Sequence, residues 1–258
     1  MCWGIEGLYG QPHLHFAAVD STNEVAKRLL MRAPEGPGAT VTADYQWAGR
    51  GRGSRRWHSA RGMGLWLSCS FLLGGCHPGH LALVAGAAVA ECLRRRGVPA
   101  AVKWPNDVLV NGKKLAGVLG EVIRPGGKQW VVLGIGVNLN QVRDDFPAEL
   151  WGRATSLKME TGRWWDPHQL AGQLLRHLEQ GLLRARREPG EALRWWKGLC
   201  PWWGQTIRAH TPLGALTGRA VDVDAEGRLV VDTGSGMVAL SSGEVSIGYP
   251  CDEVGDWR

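Results

Sequence analysis

The chain of 258 residues is long enough for one large domain and a small one, with a substantial hydrophobic core. Its composition, 44% hydrophobic and 21% charged residues, is that of an ordinary globular protein. No apolar run approaches the roughly 18 residues of a membrane span, and residues 1–10 lack the basic region and apolar core of a signal peptide. We therefore expect a cytoplasmic protein. The net charge of +6 favours an anionic partner, such as a nucleotide, an acidic protein surface or nucleic acid.

The six cysteines predict reduced structural thiols. They form no C-x-x-C pair, and no histidine cluster has the spacing of zinc ligands, so a zinc site or a disulfide framework is disfavoured.

Capping and turn residues divide the first 200 residues into helices and strands. Residues 21–24, Ser-Thr-Asn-Glu, predict a capping box that opens a helix. Asn111-Gly112 between two apolar runs predicts a hairpin with a type I′ turn. The first predicted elements are a helix to about Met31 and strands at 39–43 and 65–73. They are followed by a helix over 81–93 that Gly97 ends, the hairpin at 108–117 and a strand at 130–137. The last is a helix capped by Asp166-Pro167, with leucines at 170, 174, 178 and 182.

After Pro201 the sequence changes to short β-rich segments separated by turns, typical of a barrel-like module of roughly 50 residues. We place a domain boundary near Trp203, giving domains at 1–203 and 204–258. The predicted fold class is α+β: a mixed β-sheet with helices, followed by a small all-β domain.

The first candidate site is the loop at residues 49–57, Gly-Arg-Gly-Arg-Gly-Ser-Arg-Arg-Trp. Glycines let the backbone approach a ligand, and arginines bind phosphates and carboxylates through paired hydrogen bonds. Taken alone, the loop is equally compatible with a solvated basic segment or a nucleic-acid-binding one. It matches neither the Rossmann glycine pattern nor a P-loop.

Two further segments combine polar residues with strand signals. Residues 103–107, Lys-Trp-Pro-Asn-Asp, precede the hairpin and put a carboxylate near a turn. Lys113 and Lys114 follow the turn and, because successive strand residues face opposite sides, cannot both enter one pocket. Residues 133–138 end a strand in glycines and an asparagine, which allows close approach of a ligand but is also compatible with simple packing.

Together and in this order, these motifs resemble the biotin protein ligase family, strongly over residues 15 to 160. The motifs are Asp20-Ser-Thr-Asn23, the 49–57 loop, residues 103–107, Lys114-Leu-Ala-Gly-Val-Leu119 and Gly134-Ile-Gly-Val-Asn138. The resemblance implies a catalytic domain like that of class II synthetases, followed by a small SH3-like β-barrel. It also implies ATP and biotin as substrates, Mg²⁺, and a biotin carboxyl carrier protein domain as partner.

The resemblance also implies roles for individual residues. Lys114 would bridge the biotin carboxylate and the ATP α-phosphate, and Arg52 would share the catalytic role. Asp107 would lie near Mg²⁺ and the phosphates. The implied biotin-binding residues are Ser21, Thr22, Asn23, Gln46, Gly49, Arg50, Gly51, Arg52, Lys114 and Gly117. The implied adenylate-binding residues are Arg50, Arg52, Arg55, Trp57, Asn106, Asn138 and Trp151.

Two features set this sequence apart within the family pattern. Ser54 stands where the loop usually has a third glycine. Only some 20 residues precede the first motif, so we expect no DNA-binding helix-turn-helix and no operator binding. We also expect the 49–57 loop to be mobile until biotin and nucleotide bind, on the premise that its four arginines cannot pack without a bound anion.

The competing interpretations are a lipoate or octanoate ligase and a non-catalytic nucleic-acid-binding protein. The arginine loop and residues 103–107 favour biotin over lipoate. A nucleic-acid binder would leave the segments around Lys114 and Asn138 without a role. The sequence leaves open whether the chain forms a homodimer through a sheet edge.

Overall fold

The computed structural model describes residues 12–211 and 214–247. Within them, a seven-stranded mixed sheet with helices precedes a five-stranded antiparallel sheet, so the predicted α+β class is confirmed. The strands are β1 (His13–Phe16), β2 (Thr40–Ala43), β3 (Gly64–Leu72), β4 (Ala101–Lys103), β5 (Asp107–Val110), β6 (Lys113–Ile123), β7 (Trp130–Asn138), β8 (Thr206–Thr211), β9 (Gly214–Val223), β10 (Leu229–Asp232), β11 (Met237–Leu240) and β12 (Glu244–Ile247). The helices are α1 (Thr22–Arg32), α2 (Pro78–Arg94), α3 (Leu157–Thr161), α4 (Pro167–Arg187) and α5 (Pro189–Gly198).

The first sheet has the order β1-β2-β3-β7-β6-β5-β4, and only the β1–β2 pair is parallel among its described pairs. Alternate residues of β3 and β7 face opposite sides of this sheet. Leu65, Leu67, Leu133 and Ile135 belong to the large core formed with α2, α4 and α5. The other face of the sheet packs against α1, where Val132 contributes to a second, smaller core.

The start of α1 differs from the prediction. Ser21 is the N-cap residue, but its side chain makes no capping hydrogen bond, so the predicted capping box is wrong. The Glu24 carboxylate pairs with Lys27 and Arg50 instead of turning back to the backbone of Ser21. In contrast, Asp166 caps α4 as predicted, accepting from the backbone N–H of His168 at 2.7 Å.

The predicted hairpin is present between β5 and β6. Asn111 and Gly112 both have positive φ, 49° and 75°, as a type I′ turn requires. The register then slips by one residue, since Leu109 pairs with Lys114 while Val108 pairs with Ala116. This bulge changes which residues of β6 share a face.

The second sheet has the order β11-β10-β9-β8-β12 and packs against the helices of the first domain. Trp104 Nε1 donates to the Gly227 carbonyl at 3.0 Å, and Trp202 Nε1 donates to the Val102 carbonyl at 2.9 Å. His80 Nε2 lies 2.8 Å from the Ala225 carbonyl. The hydrophobic core is continuous across both sheets, and the boundary near Trp203 stays a prediction.

Burial of His13 in β1 predicts that the fold is less stable in acid. Burial, together with the neighbouring His15 and His168, lowers the pKa of His13 from 6.5 to about 4. The unfolded chain therefore binds more protons than the folded chain between these values, so stability falls as the pH is lowered from about 7 towards 4. We expect His13→Gln to flatten this decline of the melting temperature. The exposed His210 supplies the control, and an equal slope in His13→Gln and His210→Gln would contradict the prediction.

Candidate functional site

A buried polar network lies between the start of α1 and strand β3. The Gln46 side-chain oxygen accepts from the Thr22 backbone N–H at 2.9 Å and lies 3.1 Å from the Thr22 hydroxyl. Gln46 Nε2 donates to the Ser59 hydroxyl at 2.9 Å. Ser68 Oγ lies 2.7 Å from Thr22 Oγ1 and 2.6 Å from Asn23 Oδ1. The structure thus brings together Thr22, Asn23 and Gln46, three of the residues assigned to the biotin pocket.

Ser21 lies beside this network without sharing its side-chain hydrogen bonds to Gln46 and Ser68. It is buried, and its backbone N–H donates to Asp20 Oδ1 at 2.8 Å. Two members of the network, Ser59 and Ser68, were missed by sequence reasoning. The sequence does contain a pattern that indicates Ser68. Ser68 and Ser70 are separated by one residue within the apolar strand β3, so both side chains lie on the same face of the sheet.

Next to the network, two paired glycines leave a slot that the Trp57 indole fills. Gly117 of β6 pairs with Gly136 of β7. A Cβ atom on Gly117 would lie 2.8 Å from the indole, and one on Gly136 would lie 2.6 Å from it. Lys114 Nζ lies 5.5 Å from the centroid of the same ring. The bulge in β6 places Lys114 and Gly117 on one face, and a Cβ on Gly117 would lie 3.3 Å from Lys114 Cε.

Charged side chains converge beyond the slot. Lys114 Nζ lies 2.6 Å from Asp107 Oδ1, and Lys103 Nζ lies 3.9 Å from Asp107 Oδ2. Burial lowers the pKa of Lys103, opposed by the Asp107 carboxylate. Burial and the charge of Arg55 lower the pKa of Arg52, whose Nη1 lies 3.4 Å from Asn106 Oδ1. Cations outnumber carboxylates here, so the cluster suits a ligand with negative charge.

The 49–57 loop folds back on itself as a tight turn. The Trp57 backbone N–H donates to the Gly49 carbonyl at 2.9 Å, and the Gly51 N–H donates to the Arg55 carbonyl at 2.8 Å. Gly49 has no room for a side chain, because a Cβ would lie 2.5 Å from the Trp57 carbonyl oxygen. Ser54 lies exposed in the turn.

The premise that these arginines need a bound anion is wrong, because the chain supplies their partners. Arg50 pairs with Glu24 and lies 3.2 Å from Glu121. Arg55 pairs with Glu244 at 2.6 Å. The remaining two donate to backbone carbonyls, Arg52 to Gly243 at 3.1 Å and Arg56 to Trp47 at 3.1 Å. Whether the loop is mobile without ligands stays a prediction.

Two of the residues assigned to the adenylate, Asn138 and Trp151, do not line a common cavity. Asn138 is buried, donating to the Thr155 carbonyl at 3.0 Å and accepting from Gln141 at 3.2 Å. Trp151 lines a cavity of about 400 Å³, beneath the guanidinium of Arg143, which lies 4.3 Å from its ring centroid. The lining of this cavity comprises Lys113, Arg143, Phe146, Leu150, Trp151, Gly152, Ala154 and Met159.

Asp107 suits a Mg²⁺ ion whose other ligands are the phosphates of a nucleotide. Within residues 12–211 and 214–247, no group of three or more His, Cys, Asp or Glu side chains could hold a metal ion alone. Mg²⁺ is usually held by one or two carboxylates together with substrate phosphates. Asp107 Oδ1 is buried and lacks a hydrogen bond of regular geometry, although Lys114 Nζ lies 2.6 Å away. Asp107 is one such carboxylate, and it lies beside a cluster of cations that suits a ligand with negative charge.

The sequence matches two family models. Residues 15–138 match the biotin/lipoate A/B protein ligase family, which defines the class of protein. Residues 203–248 match the biotin protein ligase C-terminal domain.

Similar proteins identify the family within this class. The biotin–[acetyl-CoA-carboxylase] ligase of Mycobacterium tuberculosis is 35% identical over 88% of this chain and 86% of its own length. The bifunctional ligase/repressor BirA of Bacillus subtilis is 35% identical over 93% of this chain and 75% of its own length. The structure of biotin protein ligase from Aquifex aeolicus in complex with biotin and ATP has a TM-score of 0.81 at 29% identity, covering 93% of this chain and all of that one. The chain belongs to the biotin protein ligase family.

Proposed function

We propose that this protein activates biotin with ATP and transfers it to a lysine of a biotin carboxyl carrier protein domain. One observation carries the proposal: a buried polar network, a glycine-lined slot and the Lys114–Asp107 pair follow one another on one face of the first sheet. A ligand with a polar ring, an apolar chain and a terminal carboxylate matches that order. Membership of the biotin protein ligase family supports the same substrates.

The polar network suits the ureido ring of biotin. Once desolvated, this ring needs paired donors and acceptors, which Thr22, Asn23, Gln46 and Ser21 would supply. The backbone at Gly117 would contact the aliphatic chain, which requires the Trp57 indole to shift or to pack against the ligand.

The first step joins the biotin carboxylate to AMP. A carboxylate oxygen attacks the α-phosphorus of ATP, the bond to the bridging oxygen breaks, and pyrophosphate leaves. Lys114 would stabilise the charge that develops on the phosphoryl oxygens, with Arg52 and the loop around Gly49 and Gly51 enclosing the mixed anhydride. Arg50 and Arg55 would reach the nucleotide only after leaving their carboxylate partners.

The second step transfers the acyl group. A neutral carrier lysine attacks the acyl carbon and loses one proton to solvent as the amide bond forms, and AMP leaves with the electron pair of the broken bond. Mg²⁺ would arrive with ATP and neutralise phosphate charge, with Asp107 as its protein ligand and Asn106 beside it. Trp57, Asn138 and Trp151 are proposed to contact the adenylate.

A lipoate or octanoate ligase is the second candidate, because the matched family includes lipoate ligases. The buried polar network disfavours it, since an apolar acyl chain offers these groups no hydrogen bonds in exchange for those they make with water or with one another. The nucleic-acid-binding interpretation is disfavoured because it gives no role to the polar network or to the Lys114–Asp107 pair, and because the chain belongs to the biotin protein ligase family.

Exchange of labelled pyrophosphate into ATP tests the proposal. We expect exchange that requires biotin and is not supported by octanoate, and labelling of an apo carrier domain with biotin. Exchange with octanoate alone would favour the second candidate, and the absence of exchange with either acid would overturn catalysis.

Three further properties are proposed. A cytoplasmic location agrees with the described thiols at Cys69, Cys76, Cys92 and Cys200, which are free and buried. A homodimer through a sheet edge would give a doubled mass in light scattering. Absence of operator binding stays a prediction, which a gel shift at physiological salt tests.

A further inference from the structure

Glu121, near the end of β6, joins the polar network to the arginine loop. One carboxylate oxygen accepts from Asn23 Nδ2 at 2.9 Å. The other accepts from Lys27 Nζ at 2.6 Å and lies 3.2 Å from Arg50 Nη1. Glu24 contacts the same two cations, so two carboxylates and two cations form a compact cluster.

The carboxylate of Glu121 is the nearer of two acceptors that determine which way the Asn23 amide faces; the other is the Leu119 carbonyl, 3.4 Å from Asn23 Nδ2. An ionised carboxylate only accepts hydrogen bonds, so the nitrogen of the amide must point towards it. The Asn23 oxygen is then directed to the Ser68 hydroxyl and towards Gly134, where a Cβ atom would collide with it. The site therefore presents an acceptor at this point rather than a donor.

The same cluster anchors the beginning of the 49–57 loop. Arg50 is held between carboxylates from α1 and β6, whereas Arg55 is held by Glu244 of β12. The two ends of the loop thus have separate anchors. Side chains in the first cluster are 19% to 39% exposed, so water weakens these ion pairs but does not remove them. The hydrogen bonds and charges of Lys27 and Arg50 outweigh burial and lower the pKa of Glu24.

We propose that Glu121 is a positioning residue that determines biotin affinity by fixing the Asn23 amide and the near end of the arginine loop. The inference rests on the proposed function. Glu121 would touch neither substrate. It would select ligands that offer an N–H group to the Asn23 oxygen, as the ureido ring of biotin does.

The test compares Glu121→Gln, Glu121→Asp and the wild type in biotin-dependent pyrophosphate exchange. Gln keeps the shape but removes the charge, and its amide can present a donor to Asn23, which permits the amide to flip. We expect the KM for biotin and its Kd by calorimetry to rise about tenfold or more, because a mismatched buried polar group weakens binding by that order. At saturating biotin, kcat should change less than about twofold, and Glu121→Asp should recover part of the affinity.

Glu35→Gln is the matched control, because it removes an exposed carboxylate whose ion pair with Lys128 shares no residue with this cluster. Its KM and Kd should equal those of the wild type. An unchanged biotin Kd in Glu121→Gln would overturn the inference. A lower kcat with a lower melting temperature and an unchanged KM would also overturn it, because that result indicates a loss of folded protein. Absence of biotin-dependent exchange in the wild type would overturn the proposed function instead.

Discussion

Replacement of Lys114 by alanine is expected to slow biotinyl-AMP formation about a hundred- to a thousandfold while the protein remains folded. Its ammonium group is held in place by Asp107 at 2.6 Å and lies over the Trp57 ring, so it is preorganised beside the slot. Removing a preorganised charge from a developing oxyanion typically costs about 3–4 kcal/mol of transition-state stabilisation. Single-turnover formation of the adenylate measures this loss directly.

Lys113→Ala is the control for the neighbouring lysine. Lys113 lines the cavity with Arg143 and Trp151, whereas Lys114 contacts Asp107 and Trp57, so the two side chains have different surroundings. We expect Lys113→Ala to retain adenylate formation within about twofold, because the ion pair with Asp107 and the contact with Trp57 belong to Lys114. A larger loss at Lys113 than at Lys114 would mean that Lys114 has been assigned the wrong role.

Gly134→Ala is expected to lower kcat/KM for biotin by roughly ten- to a hundredfold. A methyl group at this position would collide with Asn23 Oδ1, whose amide is held by Ser68 and Glu121. Either the amide or strand β7 must shift, and such overpacking typically costs about 1–3 kcal/mol. Steady-state kinetics with biotin as the varied substrate, together with the melting temperature, measure both consequences.

Gly120→Ala supplies a matched control on the adjacent strand. A Cβ atom there would lie 3.5 Å from Leu133 Cδ1, an ordinary contact, so kinetics and stability should stay near those of the wild type. Wild-type kinetics in Gly134→Ala would show that the Asn23 amide does not determine biotin binding.

Local signals in the sequence were sufficient for much of the fold. The positive φ values at Asn111 and Gly112, and the Asp166 cap, are properties of a few adjacent residues, so turn and capping rules predict them. The edge strands β1 and β4, of four and three residues, gave no comparable pattern because such short segments carry too few alternations.

Sequence motifs indicated several residues of the candidate site, but they did not indicate how these residues are arranged. Strict alternation along β6 would put Lys114 and Gly117 on opposite faces, and the bulge that unites them depends on pairing with β5. Glu121 and Glu244 were missed for the same reason: their partners lie on α1 and on the arginine loop, distant in sequence. No local spacing rule relates such residues.

Under the proposed function, the pairing of Arg50 and Arg55 with the chain's own carboxylates would make Glu24, Glu121 and Glu244 intramolecular competitors of the nucleotide. A phosphate would contact these arginines only in molecules whose ion pairs have opened. The apparent affinity for the nucleotide would therefore be the intrinsic affinity multiplied by the fraction of such molecules. Because Glu244 belongs to the second sheet, loss of its ion pair with Arg55 would strengthen nucleotide binding without a change in any group that touches the nucleotide. Under the proposed function, the second sheet would thereby lower the apparent affinity of the site for ATP.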